Sequence, residues 1–185
     1  MLRKDIEFRE AGPAVSPEAL ATFAATVGVA ALPVPYEQFM LRFNGADPVV
    51  GGPNRSMGRC SFVRLWWPVG SPAAEGGLWA SLSDMYRLGT DPTERPELQD
   101  VHEVVSDILP PQSFAFCSAS GGSKFLFDLR PDRFGQVLFW SSMWAGDDET
   151  LARDPYHNVA WVAADFIDFL NRLEVEQDDM DAWEA

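Results

Sequence analysis

The 185-residue chain is predicted to adopt an α+β fold, a central antiparallel sheet flanked by N-terminal helices and a C-terminal helix. Three observations carry this prediction. First, residues 125–129 and 136–140 form two apolar runs joined by a polar segment holding Pro131 and Gly135. Phe125, Phe127 and Leu129 share one side of the first run, with Leu126 and Asp128 on the other. The second run is apolar on both sides, Val137 and Phe139 against Leu138 and Trp140. Period-two patterning rich in aromatic residues marks strands, and a run apolar on both sides marks a central, covered one. An antiparallel ribbon at the heart of a sheet follows. Second, capped stripes of helical period stand near the two ends of the chain. Third, helices come first, then mostly strands, then a helix, a segregated order that favours an antiparallel sheet over alternating βαβ units.

Taken in order, Ser16-Pro17-Glu18 reads as a helix start, with Ser as N-cap, Pro at the first helical position and an acid in the first turn. Leu20, Phe23, Ala24 and Val27 follow at helical spacing, and Gly28 supplies the stop. A second helix opens around Leu32-Pro33-Val34-Pro35. Its stripe is Tyr36, Phe39, Met40 and Phe43, and Asn44-Gly45 closes it as a left-handed cap. Residues 47–58, rich in Gly, Pro and Asn, read as loop. Residues 60–67 read as a strand ending at Pro68, and 70–77 as loop again. Residues 82–88 suit one or two helical turns. After the breaking segment 90–96, Leu98, Val101, Val104, Val105 and Ile108 mark a helix that stops before Pro110-Pro111. Residues 113–118 alternate Phe114 and Phe116 against Ala115 and Cys117 as a third strand, and 118–122 turn it into the ribbon. Residues 141–150 read as loop and 159–162 as a short strand. Asp165 then opens a helix with Phe166, Phe169, Leu170 and Leu173 on one stripe. From Glu174 onward come six acids and no base, a tail. With no internal repeat or long linker, the expectation is one domain over residues 1–185, its core spanning about 16–173 and its acidic tail 174–185.

Composition bounds the function. No apolar run approaches the ~18 residues of a membrane span, and the first ten residues, charged throughout, lack a signal-peptide core. A cytoplasmic location is expected. Cys60 and Cys117 lie far apart and outside C-x-x-C spacing, so two free thiols are expected rather than a disulfide. The formal net charge is -14 and unevenly placed. Residues 1–92 hold eight Arg and Lys against nine Asp and Glu; residues 93–185 hold six against nineteen, a balance of -13. Direct nucleic-acid binding, which needs Lys and Arg against phosphate, is not expected. Such a field speeds encounter with a basic partner; acidity that merely keeps a protein soluble is the competing reading.

Signs of catalysis are poor. His102 and His157 have no companions at metal-ligand spacing. Ser118-Ala119-Ser120-Gly121 is not a G-x-S-x-G elbow. Cys117, in an alternating strand, suits a small core residue better than a nucleophile. Asp147-Asp148-Glu149 and Asp178-Asp179-Met180-Asp181 lack the calcium-loop pattern, and neither Gly pair has the Lys or third Gly of a phosphate cradle. No enzyme, cofactor or metal is expected. Binding signs are better. Trp66 and Trp67 of a strand point to opposite faces, and Trp144 stands three residues from Asp147-Asp148-Glu149. Trp beside acids suits anchoring a basic partner, although completing the core is the competing use of the same indoles. The candidate partner-binding residues are therefore Trp67, Trp144, Asp147, Asp148 and Glu149.

Several of these segments resemble one known family. Leu32-Pro33, followed by Phe39-Met40-Leu41-Arg42-Phe43-Asn44-Gly45, is similar to the L-P-x-x-[YF]-x-x-F-[LM]-x-x-[YF]-N-G signature of the SUKH superfamily, built on the domain of the fungal Smi/Knr cell-wall-assembly regulators. The Ser120-Gly121-Gly122 turn, Phe127-Asp128-Leu129, Gly135-x-Val137-x-Phe139-Trp140 and Phe166-Ile167-Asp168-Phe169-Leu170 fall in the family's order, over residues 16–173. The resemblance implies a central antiparallel sheet with flanking helices, and no catalysis. It also implies an immunity protein that binds and neutralises a toxin domain encoded nearby, often a nuclease. The alternative it implies is an interaction module like the fungal relatives. A monomer or weak dimer is expected. Two departures stand out: Ser141-Ser142 where the family often has Asp or His, and a long segment between Pro68 and Pro111.

Overall fold

The computed structural model describes residues 1–51, 61–89, 96–144 and 148–175. It opens with β1 (Ile6–Arg9), α1 (Pro17–Thr26), α2 (Val34–Phe43), β2 (Asp47–Val50), β3 (Ser61–Arg64) and β4 (Trp79–Met85). There follow α3 (Leu98–Val105), β5 (Ser113–Ala119), β6 (Lys124–Asp128) and β7 (Val137–Trp140). α4 (Asp148–Arg153), β8 (Val159–Ala163), α5 (Phe166–Asn171) and the two-residue β9 (Glu174–Val175) complete the series.

Seven strands pair in the order β8-β7-β6-β5-β4-β3-β9, and every pairing is antiparallel. The ribbon β6–β7 is joined through residues 129–136, and Phe125 faces Phe139 as Phe127 faces Val137. All of β7, and β6 from Phe125 to Asp128, are buried, so both faces of the ribbon are covered as its sequence requires. Trp66, two residues beyond β3, exchanges both backbone hydrogen bonds with Trp161 of β8, each 3.0 Å. A flank of the sheet therefore meets the strand near its opposite flank, and the sheet curls toward a barrel.

The helices cover one face through aromatic contacts. Ser16 caps α1, its Oγ accepting the Ala19 N–H at 3.2 Å. α2 ends at Asn44, which takes left-handed angles of φ 40° and ψ 64°. Tyr36 of α2 sits at the centre, its ring centroid 4.8 Å from Phe127, 5.4 Å from Phe166 and 5.7 Å from Phe116. Phe169 of α5 packs on Phe116 and Phe125. Large rings at the facing positions of three helices and three strands fill the core densely.

Some expectations need correction. Residues 47–50 are not loop but β2, which pairs with β1 as a separate two-stranded sheet; runs of four residues carry too little pattern to be read. Residues 82–88 form no helical turn. β4 occupies Trp79–Met85, and its register shifts between Leu82 and Met85. That irregularity lets Leu82, Met85 and Tyr86 all be buried at a spacing that mimics a helix. The loops expected at 70–77 and 141–150 contain 3₁₀ turns, Pro72–Gly76 and Ser142–Trp144, and the helix α4. The acidic tail starts later than expected, because Glu174 and Val175 pair with Phe62 and Ser61. Its remainder, 176–185, lies outside the described residues, as do Cys60 and residues 52–59.

Candidate protein-binding site

At one end of the sheet the described connecting residues of 65–78, 120–123, 141–144 and 154–158 are knit together by hydrogen bonds. Ser142 donates its Oγ–H to Gly121 O at 2.7 Å, and its N–H to Ser123 Oγ at 3.2 Å. Ser141 N–H reaches Asn158 O at 3.1 Å, and fully buried Asn158 returns Nδ2–H to Ser141 O at 2.8 Å. The Ser141-Ser142 pair thus joins two loops to the end of β7. Ser81 and Ser120 share a hydroxyl–hydroxyl bond of 2.5 Å. His157 stands between two carbonyls, its Nδ1 2.8 Å from Asp154 O and its Nε2 2.8 Å from Trp144 O. Ser71 Oγ donates to His157 O at 3.2 Å, tying the 65–79 segment to the same histidine.

Trp67 donates its Nε1–H to Gly77 O at 2.8 Å and meets Phe139 edge-on at 6.0 Å. The half-buried Trp144 presses its Nε1 against Gly76, where an added Cβ would sit 3.4 Å away. The two indoles therefore address adjacent glycines, Trp67 at Gly77 and Trp144 at Gly76. Beside them opens a groove of ≈ 300 Å³, lined by Phe62, Leu65, Trp67, Trp79, Phe139 and Met143 with the hydroxyl-bearing Ser81, Ser120, Ser123 and Ser141. Of its lining residues Trp79 and Met143 are 48 % and 77 % exposed, and Trp66, Val69 and Leu78 of the adjoining 65–78 segment are exposed as well. Exposed apolar side chains gathered this way mark an interaction surface.

A second arrangement adjoins the groove. Register places Trp79 opposite Arg64, and the Arg64 guanidinium lies 4.4 Å over the Trp66 ring. Across the bridge, Arg172 lies 4.9 Å over Trp161 and also pairs with Asp168, Nε to Oδ2 at 2.8 Å. The molecule thus stacks guanidinium on indole twice within one row.

Of the sequence-predicted site residues, Trp67 lines the groove and Trp144 braces its neighbour Gly76, so both also serve packing. Glu149 is exposed on α4. Asp148 begins α4, with its side chain outside the described residues, and Asp147 lies outside them entirely. Trp66, noted in the sequence beside Trp67, is not among the candidate residues, and Trp79 and Met143 draw no notice there at all. Trp79 and Met143 stand alone without periodicity, and only strand pairing and the closing of the sheet gather them.

The groups weighed for catalysis are dispersed. Cys117 is a free thiol, fully buried in β5, and burial pushes its pKa well up. Both ring nitrogens of His157 lie 2.8 Å from backbone carbonyls, and burial lowers the pKa of His102 on α3. Among the described residues, no group of three or more His, Cys, Asp or Glu gathers as metal ligands. No helix among them is long and apolar enough to cross a membrane.

No curated protein matches the sequence. The sequence model of the SMI1/KNR4 family (SUKH-1) matches residues 14–172, which takes in both N-terminal helices, the ribbon and α5. This family has a protein-interaction role, and its domain is generally non-catalytic. With the α+β architecture, the covered ribbon and the Asn44-Gly45 helix stop in place, the chain belongs to the SMI1/KNR4 (SUKH-1) family.

Proposed function

We propose that the protein is an immunity protein, acting in the cytoplasm as one SUKH-like domain, that binds and neutralises a toxin domain encoded beside it. The partner is a basic domain, and a nuclease fits best, because an acidic surface covers a site built for nucleic acid. The protein itself is no enzyme, needs no cofactor, binds no nucleic acid directly and works as a monomer or weak dimer. The observation that carries this reading is a coincidence within a family of interaction domains. The exposed Trp and Met end of the sheet occurs in a chain whose second half carries nineteen acids against six bases. Apolar anchors surrounded by charge complementary to a partner are the anatomy of a specific interface. Trp67, Trp144, Asp147, Asp148 and Glu149 are proposed as its residues.

Coexpression with the polypeptide encoded next to this chain tests the proposal. A neighbour that arrests growth alone, and is silenced by a tight complex that weakens with salt, is the expected result. A harmless neighbour that does not co-purify overturns it. The second reading is an interaction module of the Smi/Knr type without a toxin partner, and the family match itself favours it. It predicts several weak partners and no dedicated one.

A further inference from the structure

Trp79 ends the row of stacked indoles and guanidiniums, and it is the rung left open. Arg64 covers Trp66 and Arg172 covers Trp161; among the described residues no cation lies over Trp79, which is 48 % exposed. Its neighbourhood suits an incoming cation. Exposed Glu75 lies on the 3₁₀ turn between Ala73 and Gly76, and both of those residues line the groove together with Trp79. The nearby cations are engaged: Arg64 is drawn onto Trp66, and Lys124 donates its Nζ–H to Gly122 O at 2.9 Å. The net charge of -14 adds long-range attraction for a positive partner.

Beneath that rung lies the groove, whose ≈ 300 Å³ is at the small end of ligand cavities. It has room for one large apolar side chain. Its walls are preset, since the Trp67 indole is held by Gly77 O and the Ser141 and Trp144 carbonyls by Asn158 and His157. Walls already in place spare a partner the cost of ordering them.

We propose that the groove receives an apolar side chain of a basic protein partner while an arginine or lysine beside that side chain stacks on Trp79 and faces Glu75. The proposal deepens the immunity reading and rests on it for the identity of the natural partner. The surface chemistry stands apart from that identity. It commits the partner to an apolar anchor next to a cation, the pairing of a large side chain with charge that interface hot spots favour.

The test has two arms. In the first, short Gly/Ser peptides are titrated into the 15N-labelled protein and the indole N–H signals are followed. One peptide carries a Phe flanked by two Arg; a second replaces the Phe by Gly, and a third the Arg by Glu. The Phe/Arg peptide is expected to shift the Trp79 signal, identified by its loss in Trp79→Phe, and to bind at least tenfold more weakly to Trp79→Ser. Glu75→Gln should weaken it several-fold, high salt should weaken it further, and both control peptides should bind poorly. No shift of the Trp79 signal, equal binding to Trp79→Ser, or equal binding of the Glu peptide overturns the proposal. Both residues are exposed, and circular dichroism verifies that each variant is folded.

The second arm repeats the coexpression with Trp79→Ser. If the native chain protects and folded Trp79→Ser protects with unchanged affinity, the groove proposal falls while the immunity reading stands. If the native chain gives no protection but the peptide titration behaves as described, the immunity reading falls and the groove proposal stands.

Discussion

Asn44 does three jobs with one side chain. It ends α2 in the left-handed conformation, a backbone region that Asn tolerates better than most residues. Its Nδ2 donates to Pro13 O at 2.8 Å and to Leu88 O at 2.9 Å, and its Oδ1 accepts the Leu88 N–H at 2.9 Å. Buried at that point, it clamps the chain before α1 and the chain after β4 onto the end of α2. Asn44→Ala orphans several buried backbone groups and should cost about 3 kcal/mol, lowering the melting midpoint by roughly 6 to 12 °C in a thermal unfolding experiment. Next to it, Gly45 has φ +77°, and a Cβ there would lie 2.4 Å from Tyr86 O. Only glycine fits. Tyr36 presents the opposite case: its hydroxyl is buried without a hydrogen-bond partner among the described residues, and burial raises its pKa. A buried, unpaired hydroxyl is a cost, so Tyr36→Phe should leave stability unchanged or raise it by about 1 kcal/mol in denaturant titration. A loss above that size would mean that the hydroxyl is bonded after all.

At the scale of elements, stability rests on how short pieces are terminated and paired. α5 is only six residues long, yet it supplies Phe166, Phe169 and Leu170 to the core. Its start is fixed reciprocally: Asp165 Oδ1 accepts the Asp168 N–H at 2.8 Å, while Asp168 Oδ2 accepts the Ala164 N–H at 3.0 Å. Asp165→Ala should cost about 1 kcal/mol, read as a lower denaturation midpoint with unchanged slope. β6 and β7 show why a covered ribbon organises the rest. Its buried residues leave no solvated face, so helices and neighbouring strands must close over both sides. Asp128 is the polar exception, fully buried and met by Arg130 at 2.5 Å, with Arg130 in turn 3.9 Å over the Tyr156 ring. A buried carboxylate is tolerated there because a guanidinium and the Arg130 N–H, at 3.0 Å, both satisfy it.

Across the whole molecule, charge and shape act at different ranges. A net charge of -14 works over a Debye length of about 8 Å at physiological salt and governs encounter. The apolar groove works only at contact and governs dissociation. Association with a basic partner should therefore slow with rising salt, whereas dissociation should change little. Replacing Asp147, Asp148 and Glu149 together by Asn, Asn and Gln should lower the on-rate several-fold at low salt in a stopped-flow experiment. Equal on-rates for the native and triple-substituted proteins would remove these acids from the site.

What was legible in the sequence is what local chemistry decides. Ser16-Pro17, Asn44-Gly45 and Asp165 announce helix ends because capping involves residues within one turn. The runs in β6 and β7 announce covered strands because their burial pattern repeats at short period. Those local signals sufficed for the fold class, the ribbon and the family resemblance. β1, β2 and β4 stayed hidden because a four-residue strand, or one with a register shift, takes its identity from its partner rather than from its own spacing. The site followed the same divide. Trp67, Trp144 and Glu149 draw notice as aromatic and acidic residues in suggestive places, but the sequence cannot say that Trp67 and Trp144 brace one glycine pair. Trp79 and Met143 became part of a groove only when β3 paired with β4 and the 3₁₀ turn Pro72–Gly76 met Ser142–Trp144. Sequence alone determined which segments must be covered; tertiary structure decided which side chains were left uncovered together, because exposure is a property of what packs nearby and not of any residue's own spacing.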